Sequence, residues 1–103
     1  MATLTVYGSS DDLVEIAGVE GGDEFNCDGS WSGVIVAPNG DTALLYVDYR
    51  RGTWSSSLAL YEEGYKLPEW DVKITGDGEM NDYSTYTEIT VPDGTKIIPV
   101  DED

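Results

Sequence analysis

The feature that most limits the fold is an alternation of apolar and polar residues in short runs, each ended by turn residues. Many of these turn residues are among the 12 glycines and 4 prolines of the chain. No stretch repeats apolar residues at the three- and four-residue spacing of a long amphipathic helix. The pattern therefore predicts an all-β chain. Runs at intervals of about ten residues are typical of an antiparallel sandwich or a small barrel.

The clearest local prediction is a β-hairpin. Two alternating runs, Ser32–Ala37 and Thr42–Tyr49, flank a Pro-Asn-Gly-Asp turn at 38–41. Asn-Gly between such runs is the strongest short-range hairpin signal, because both residues tolerate positive φ. Arg50, Arg51 and Gly52 are then expected to turn the chain back into a third strand.

The other predicted strands are also short. Ser and Asp before residue 13 could cap a helix over Ser10–Ala17, but its β-branched residues and its length favour a strand. Residues 76–82 read as a polar loop. The further strands predicted are Thr3–Tyr7, Leu13–Ala17, Glu24–Cys27, Gly52–Tyr61, Trp70–Thr75, Tyr83–Val91 and Lys96–Val100. We expect one domain over residues 1–103, a single antiparallel sandwich or partly open barrel of about 7–9 short strands, with 101–103 as a frayed acidic tail.

The charge of the chain indicates the chemistry of its partner. Acids outnumber bases 21 to 5, which gives a net charge of -16. A small soluble domain usually carries a net charge of about 2–8 in magnitude. Residues 1–49 carry -9, residues 50–75 carry 0 and residues 76–103 carry -7. We expect a strongly negative face that repels nucleic acid and anionic membranes and attracts basic, nucleic-acid-binding proteins. The alternative is that the acidity serves only solubility or adaptation to high salt.

The residue types that are missing exclude several functions. There is no histidine and one cysteine, Cys27, so histidine-based catalysis, a histidine-ligated metal, a disulfide within the chain and a zinc cluster are all excluded. Acidic neighbours disfavour the Cys27 thiolate, and we expect a structural or incidental role. The first residues lack the basic region of a signal peptide, and no apolar run approaches the roughly 20 residues of a membrane span. The expected setting is cytoplasmic.

Calcium and glycoside hydrolysis are weakly supported. Asp77, Glu79, Asn81 and Glu88 match positions 1, 3, 5 and 12 of an EF-hand loop, but position 6 is Asp82 where the sharp turn needs glycine. A looser calcium site in the 20–28 or 77–88 loops stays open beside a solvated acidic loop. With 21 acids, some carboxylate pair at a glycosidase spacing is guaranteed by chance. We expect no enzyme, no metal and no cofactor.

The candidate binding residues fall into groups of acids and one mixed group. The primary hypothesis is an inhibitor that engages a basic host protein by mimicking nucleic acid. Its first acidic group is Asp11, Asp12, Glu15, Glu20, Asp23, Glu24 and Asp28, and its second is Asp77, Glu79, Asp82 and Glu88. An alternative is a module that sequesters a small molecule or nucleotide in a pocket of Arg50, Arg51, Trp54 and Trp70. A third is a structural virion or assembly module that uses edge strands and exposed tyrosines.

The opening segment carries a resemblance. The run Thr-Val-Tyr-Gly-Ser-Ser-Asp-Asp-Leu-Val-Glu-Ile at 5–16, followed by Gly18, Glu24 and Phe25, resembles a family of small acidic proteins of bacteriophages, prophages and bacteria. Segments like Leu44–Tyr49, Trp54–Leu60 and Asp-Tyr-Ser at 82–84 continue the similarity in order, while residues 17–30 depart from it with extra glycine and neutral residues. The resemblance implies no activity and no functional residue. It implies a phage protein that evades host defence in the cytoplasm of an infected or lysogenic bacterium.

Overall fold

The alternating runs form the strands of a computed structural model, which describes residues 1–10, 13–25, 29–50, 52–60, 66–74, 78–79 and 85–100. All of the strand pairs are antiparallel. The ten strands are β1 (Ala2–Ser10), β2 (Leu13–Ala17), β3 (Asp23–Phe25), β4 (Gly29–Val36), β5 (Thr42–Arg50), β6 (Thr53–Ala59), β7 (Asp71–Ile74), β8 (Gly78–Glu79), β9 (Thr87–Val91) and β10 (Lys96–Pro99).

The strands form two sheets packed face to face. Sheet A has the order β3-β2-β1-β9-β7, and sheet B has the order β10-β4-β5-β6-β8. The predicted all-β antiparallel sandwich is confirmed, and the sheets do not close into a barrel. Counted without the two-residue β8, the described strands number nine. Strand β2 alternates in burial along its whole length, so the strand predicted for Leu13–Ala17 is confirmed over the helix.

The core lies between the two sheets. Every second residue of the central strands points inward, as the pleat requires. The fully buried side chains are mainly aliphatic, with Trp54 as the largest among them. The core cluster comprises Leu4, Val6, Val14, Ile16, Ile35, Leu45, Val47, Tyr49, Trp54, Ile89, Val91 and Ile97.

The hairpin predicted around residues 38–41 is present between β4 and β5. Val36 is paired with Thr42, and Gly40 N–H donates to the Ala37 carbonyl at 3.0 Å. This bond closes a turn with Pro38 at its second position, where the fixed φ of proline fits. Gly40 follows at φ +96°, in the left-handed region that glycine adopts without steric cost.

Two predictions at the other end of the sandwich need correction. Gly78 and Glu79, within the expected polar loop of 76–82, form β8 and pair with Thr53 and Trp54. Gly78 is buried because it packs directly beneath the Trp54 indole. The strand predicted over Trp70–Thr75 starts one residue later, as β7 (Asp71–Ile74), and Ile74 is 53% exposed because β7 is the edge strand of sheet A.

One edge of the sandwich is fastened by contacts between the sheets. Glu20 forms a parallel bridge with Lys96, and the Ile97 N–H donates to the Glu20 carbonyl at 2.9 Å. Trp31 Nε1 of sheet B donates to Asp23 Oδ2 of sheet A at 3.2 Å. The edge of β10 that faces away from β4 therefore has one backbone N–H already bonded. The next outward position is Pro99, which has no N–H.

No helix of the length and apolarity that a membrane crossing needs occurs in the part of the chain that the structure describes.

Candidate functional site: an acidic sheet face

The outer face of sheet A collects acids from strands that are distant in sequence. The strand register places Glu24, Glu15 and Tyr7 side by side across β3, β2 and β1. The adjacent row runs from Thr5 through Glu88 to Lys73 across β1, β9 and β7. Asp71 lies on the same face, opposite Thr90. We call this surface the acidic face and define it by Glu15, Glu24, Asp71 and Glu88.

Two glutamates on the acidic face are direct cross-strand partners. Glu15 and Glu24 are opposite each other in the β2–β3 pair, so their Cβ atoms are about 5 Å apart. Like charges in this arrangement destabilise a sheet. Tyr7 Oη donates to Glu15 Oε2 at 3.0 Å, which holds one of the two carboxylates at the centre of the face.

A shallow groove crosses the acidic face beside these glutamates. Thr5, Tyr7, Tyr86 and Glu88 line a depression of about 420 Å³. Glu15 and Glu88 lie two strands and two residues apart, or about 12 Å. The groove thus combines tyrosine rings with carboxylates. Arginine and lysine side chains of a partner can pack on such rings while they pair with the acids.

The ion pairs found among the described residues lie away from this face. The amino group of Met1 is 2.8 Å from Asp93 Oδ1, and Lys66 Nζ is 3.6 Å from Glu69 Oε1. On the acidic face the described base is Lys73, the cross-strand neighbour of Glu88. With four acids and one base, the described part of the face carries -3.

The structure separates the acids that the sequence grouped together. Glu15, Glu24 and Glu88 share the acidic face, although they came from different predicted groups. Glu20 is exposed on the fastened edge beside Lys96. Asp23 accepts hydrogen bonds from Trp31 Nε1 and from the Glu24 N–H, so its carboxylate holds the two sheets together. The predicted site residues Asp11, Asp12, Asp28, Asp77 and Asp82 and the side chain of Glu79 lie outside the described residues.

Three residues of the face were missed by sequence reasoning. Asp71, Tyr7 and Tyr86 were not named in either acidic group. The alternation of β7 indicates that Asp71 and Lys73 share a side. Nothing in the alternation indicates that β9 lies between β7 and β1, and this strand order is what completes the face.

The alternative ligand pocket is only partly assembled. Arg50 and Trp54 border a shallow cleft with Asp48, Thr53 and Ser55. Trp54 is 1% exposed, so its ring is occupied by core packing. Trp70 packs against the core and is not among the described residues that line this cleft. Arg51 lies outside the described residues.

Metal binding receives no geometric support within the described ranges. No group of three Asp, Glu, Cys or His side chains there is arranged to hold an ion. Asp77, Asn81 and Asp82 of the EF-hand-like spacing, and Cys27 in the other loop, lie outside those ranges. Glu88, the last residue of that spacing, is on strand β9.

Comparison with known proteins adds no relative from which a function could be transferred. No protein-family model, no curated protein and no solved structure matches the chain.

Proposed function

We propose that the chain is a non-catalytic binding protein whose acidic face engages a basic, nucleic-acid-binding protein at its nucleic-acid site. The observation that carries this proposal is the Glu15–Glu24 pair, in which two carboxylates face each other on neighbouring strands. A like-charged pair costs stability. A basic partner that inserts a cation between the two carboxylates would recover that energy on binding.

The form of the surface supports mimicry rather than a flexible acidic tail. The backbone positions of these acids are fixed by the sheet register, with spacings of about 5 to 12 Å between Glu15 and its neighbours. A preorganised surface loses little conformational entropy on binding. The acids can therefore occupy positions where the partner otherwise holds phosphates. The partner class follows from charge, because nucleic-acid-binding surfaces are rich in lysine and arginine.

The proposed setting is a bacterium under phage attack, with this chain as a phage inhibitor of a host protein. This part of the proposal rests on the resemblance of the opening segment alone. The chemistry of the acidic face requires only a basic partner.

The test compares two variants of equal charge. The face variant carries Glu15→Gln, Glu24→Gln and Glu88→Gln. The control carries Glu20→Gln, Asp41→Asn and Glu69→Gln, at exposed positions away from the acidic face. Each removes three negative charges. The tagged wild-type chain is used to capture proteins from bacterial lysate at low salt, and the captured protein is purified for titration with each variant.

We expect a basic nucleic-acid-binding protein that elutes with salt and is displaced by duplex DNA. The face variant should bind it at least about tenfold more weakly, while the control should stay close to wild type. Equal weakening by both variants would mean that only net charge matters. Binding that is insensitive to salt and DNA would contradict mimicry.

A further inference from the structure

The outer face of sheet B differs in character from the acidic face. One row of apolar side chains crosses four strands, with Ile98 paired to Val34, Val34 to Leu44 and Leu44 to Ala59. We call these four residues the apolar strip. Ile98 is 49% exposed and the adjacent Tyr46 is 42% exposed, whereas Leu44 and Ala59 are half-buried and Val34 is 8% exposed. From this surface we infer that two copies of the chain pack sheet B against sheet B as a symmetric dimer.

Charge favours a second copy at this face. Two chains of net charge -16 repel each other, and contact is possible only where negative charge is absent or compensated. The charged residues that the described strands place on the outer face of sheet B are Asp48, Arg50 and Lys96, together with Glu79, which the register places in the row of Thr53 and Arg50; their charges sum to 0. The described acidic face carries -3. The apolar strip thus lies on the less negative of the two faces, where a second copy can approach with less repulsion.

The arrangement of the charges is self-complementary. Lys96 lies in the row of Val36 and Thr42, and Asp48 lies six residues further along β5. The two rows are therefore about 20 Å apart, with the apolar strip between them. A two-fold axis in the contact plane can place Lys96 of each copy over Asp48 of the other while the strips meet. Such an isologous contact closes at two copies.

The dimensions of the molecule also suit a face-to-face contact. The principal extents are 37, 31 and 21 Å, and the broad face offers on the order of 1,000 Å², against about 800 Å² per partner in a standard interface. The outward side of β10 is unsuited to strand pairing, because the Ile97 N–H is bonded to the Glu20 carbonyl and Pro99 has no N–H. A second copy is therefore expected to pack on the outer face of sheet B rather than to pair with the β10 edge.

The dimer is independent of the proposed function, since it uses the opposite side of the sandwich. Both acidic faces would remain outward. The two associations also respond differently to salt. Screening weakens the contact between the acidic face and a basic partner. In the dimer it relieves the repulsion between two copies of net charge -16, which outweighs the loss of two exposed Lys96–Asp48 pairs. Failure of one can therefore be recognised without failure of the other.

The test is sedimentation equilibrium of the full chain over a wide concentration range, at low and high salt. A monomer has a mass of 11.2 kDa, and we expect a reversible species of twice that mass, favoured by salt. Ile98→Asp should weaken dimerisation by at least about tenfold. The matched control is Ile74→Asp, which places the same charge on an exposed isoleucine of sheet A and should leave the dimer unchanged.

Charge reversal tests the symmetric geometry. Lys96→Glu and Asp48→Lys should each weaken the dimer, and the double variant should restore it. Both side chains are exposed, so circular dichroism should show folded variants. A chain that stays monomeric at every concentration would overturn the inference, as would a dimer sensitive to Ile74→Asp but not to Ile98→Asp. A monomer whose Ile98→Asp variant loses a captured lysate protein would assign the face to a different partner.

Discussion

Glu15 and Glu24 show how a single pair of residues links stability to binding. Their register is fixed by the pairing of Val14 with Phe25 and of Ile16 with Asp23 on either side. The two residues cannot separate by sliding, because β2 is also paired with β1 and a one-residue slip of β3 would exchange the two faces of β3. The repulsion between Glu15 and Glu24 is therefore expected to lower the stability of the native state.

Neutralising one member of this pair should stabilise the protein. We expect Glu24→Gln to raise the free energy of unfolding by about 0.5 kcal/mol, the usual scale of a like-charged cross-strand contact. Urea denaturation measures the change. The control is Glu69→Gln, which also removes one negative charge but lies beside Lys66. If Glu69→Gln stabilised the chain as much, the cause would be net charge and not the cross-strand pair.

Adding a single methyl group at Gly78 should strongly lower the stability of the protein. A methyl group there would overlap the Trp54 indole, which is fully buried. We expect Gly78→Ala to cost about 1–3 kcal/mol by overpacking and to change tryptophan fluorescence. Gly40→Ala provides the comparison. A methyl group at position 40 meets open space, so the substitution should cost only the strain of alanine at a positive φ, about 1 kcal/mol. A smaller loss at 78 than at 40 would mean that the indole moves aside freely.

At the scale of the elements, one hydroxyl pair joins the two sheets inside the sandwich. Ser56 Oγ of β6 and Thr87 Oγ1 of β9 are 2.7 Å apart, and Thr87 is buried. Buried polar atoms are tolerated when they bond each other. The pair adds a directional contact between sheet A and sheet B, whereas the surrounding apolar contacts are not directional.

Removing one hydroxyl should cost more than removing both. We expect Ser56→Ala to destabilise the chain by about 1–3 kcal/mol, because Thr87 is left with a buried and unsatisfied hydroxyl. The double variant Ser56→Ala with Thr87→Val should recover part of this loss. A double-mutant cycle in urea measures the coupling. Additive losses would show that the two hydroxyls act separately.

The elements also show what a sequence can and cannot indicate. The β4–β5 hairpin was predictable because its turn residues and its two alternating runs are adjacent in the chain. Strand β8 was not, since it is defined by the contact of Gly78 with a tryptophan 24 positions earlier. The composition of the acidic face depends on strand order in the same way. Alternation assigns Glu15 and Glu88 to polar sides, but only pairing through β1 makes those sides continuous.

At the scale of the whole molecule, the acids set the dependence of stability on salt. A net charge of -16 opposes the compact state by self-repulsion. We expect the free energy of unfolding to rise by on the order of 1 kcal/mol between low salt and physiological ionic strength. Urea midpoints at several NaCl concentrations measure this rise. In the variant with Glu15, Glu24 and Glu88 changed to Gln, salt should raise the free energy of unfolding less than in the wild type. An equal rise would mean that the repulsion comes from acids outside the acidic face.

The closed side of β10 has a consequence for how this protein behaves when it is concentrated or partly unfolded. Fibril growth by strand addition needs a free row of backbone donors at a sheet edge. On the outward side of β10, one donor is committed to Glu20 and the next position is a proline. A neighbouring molecule that meets this edge finds no ladder to extend. Addition of a further strand at this edge is thus disfavoured by the backbone itself, although β10 carries an exposed apolar residue at Ile98.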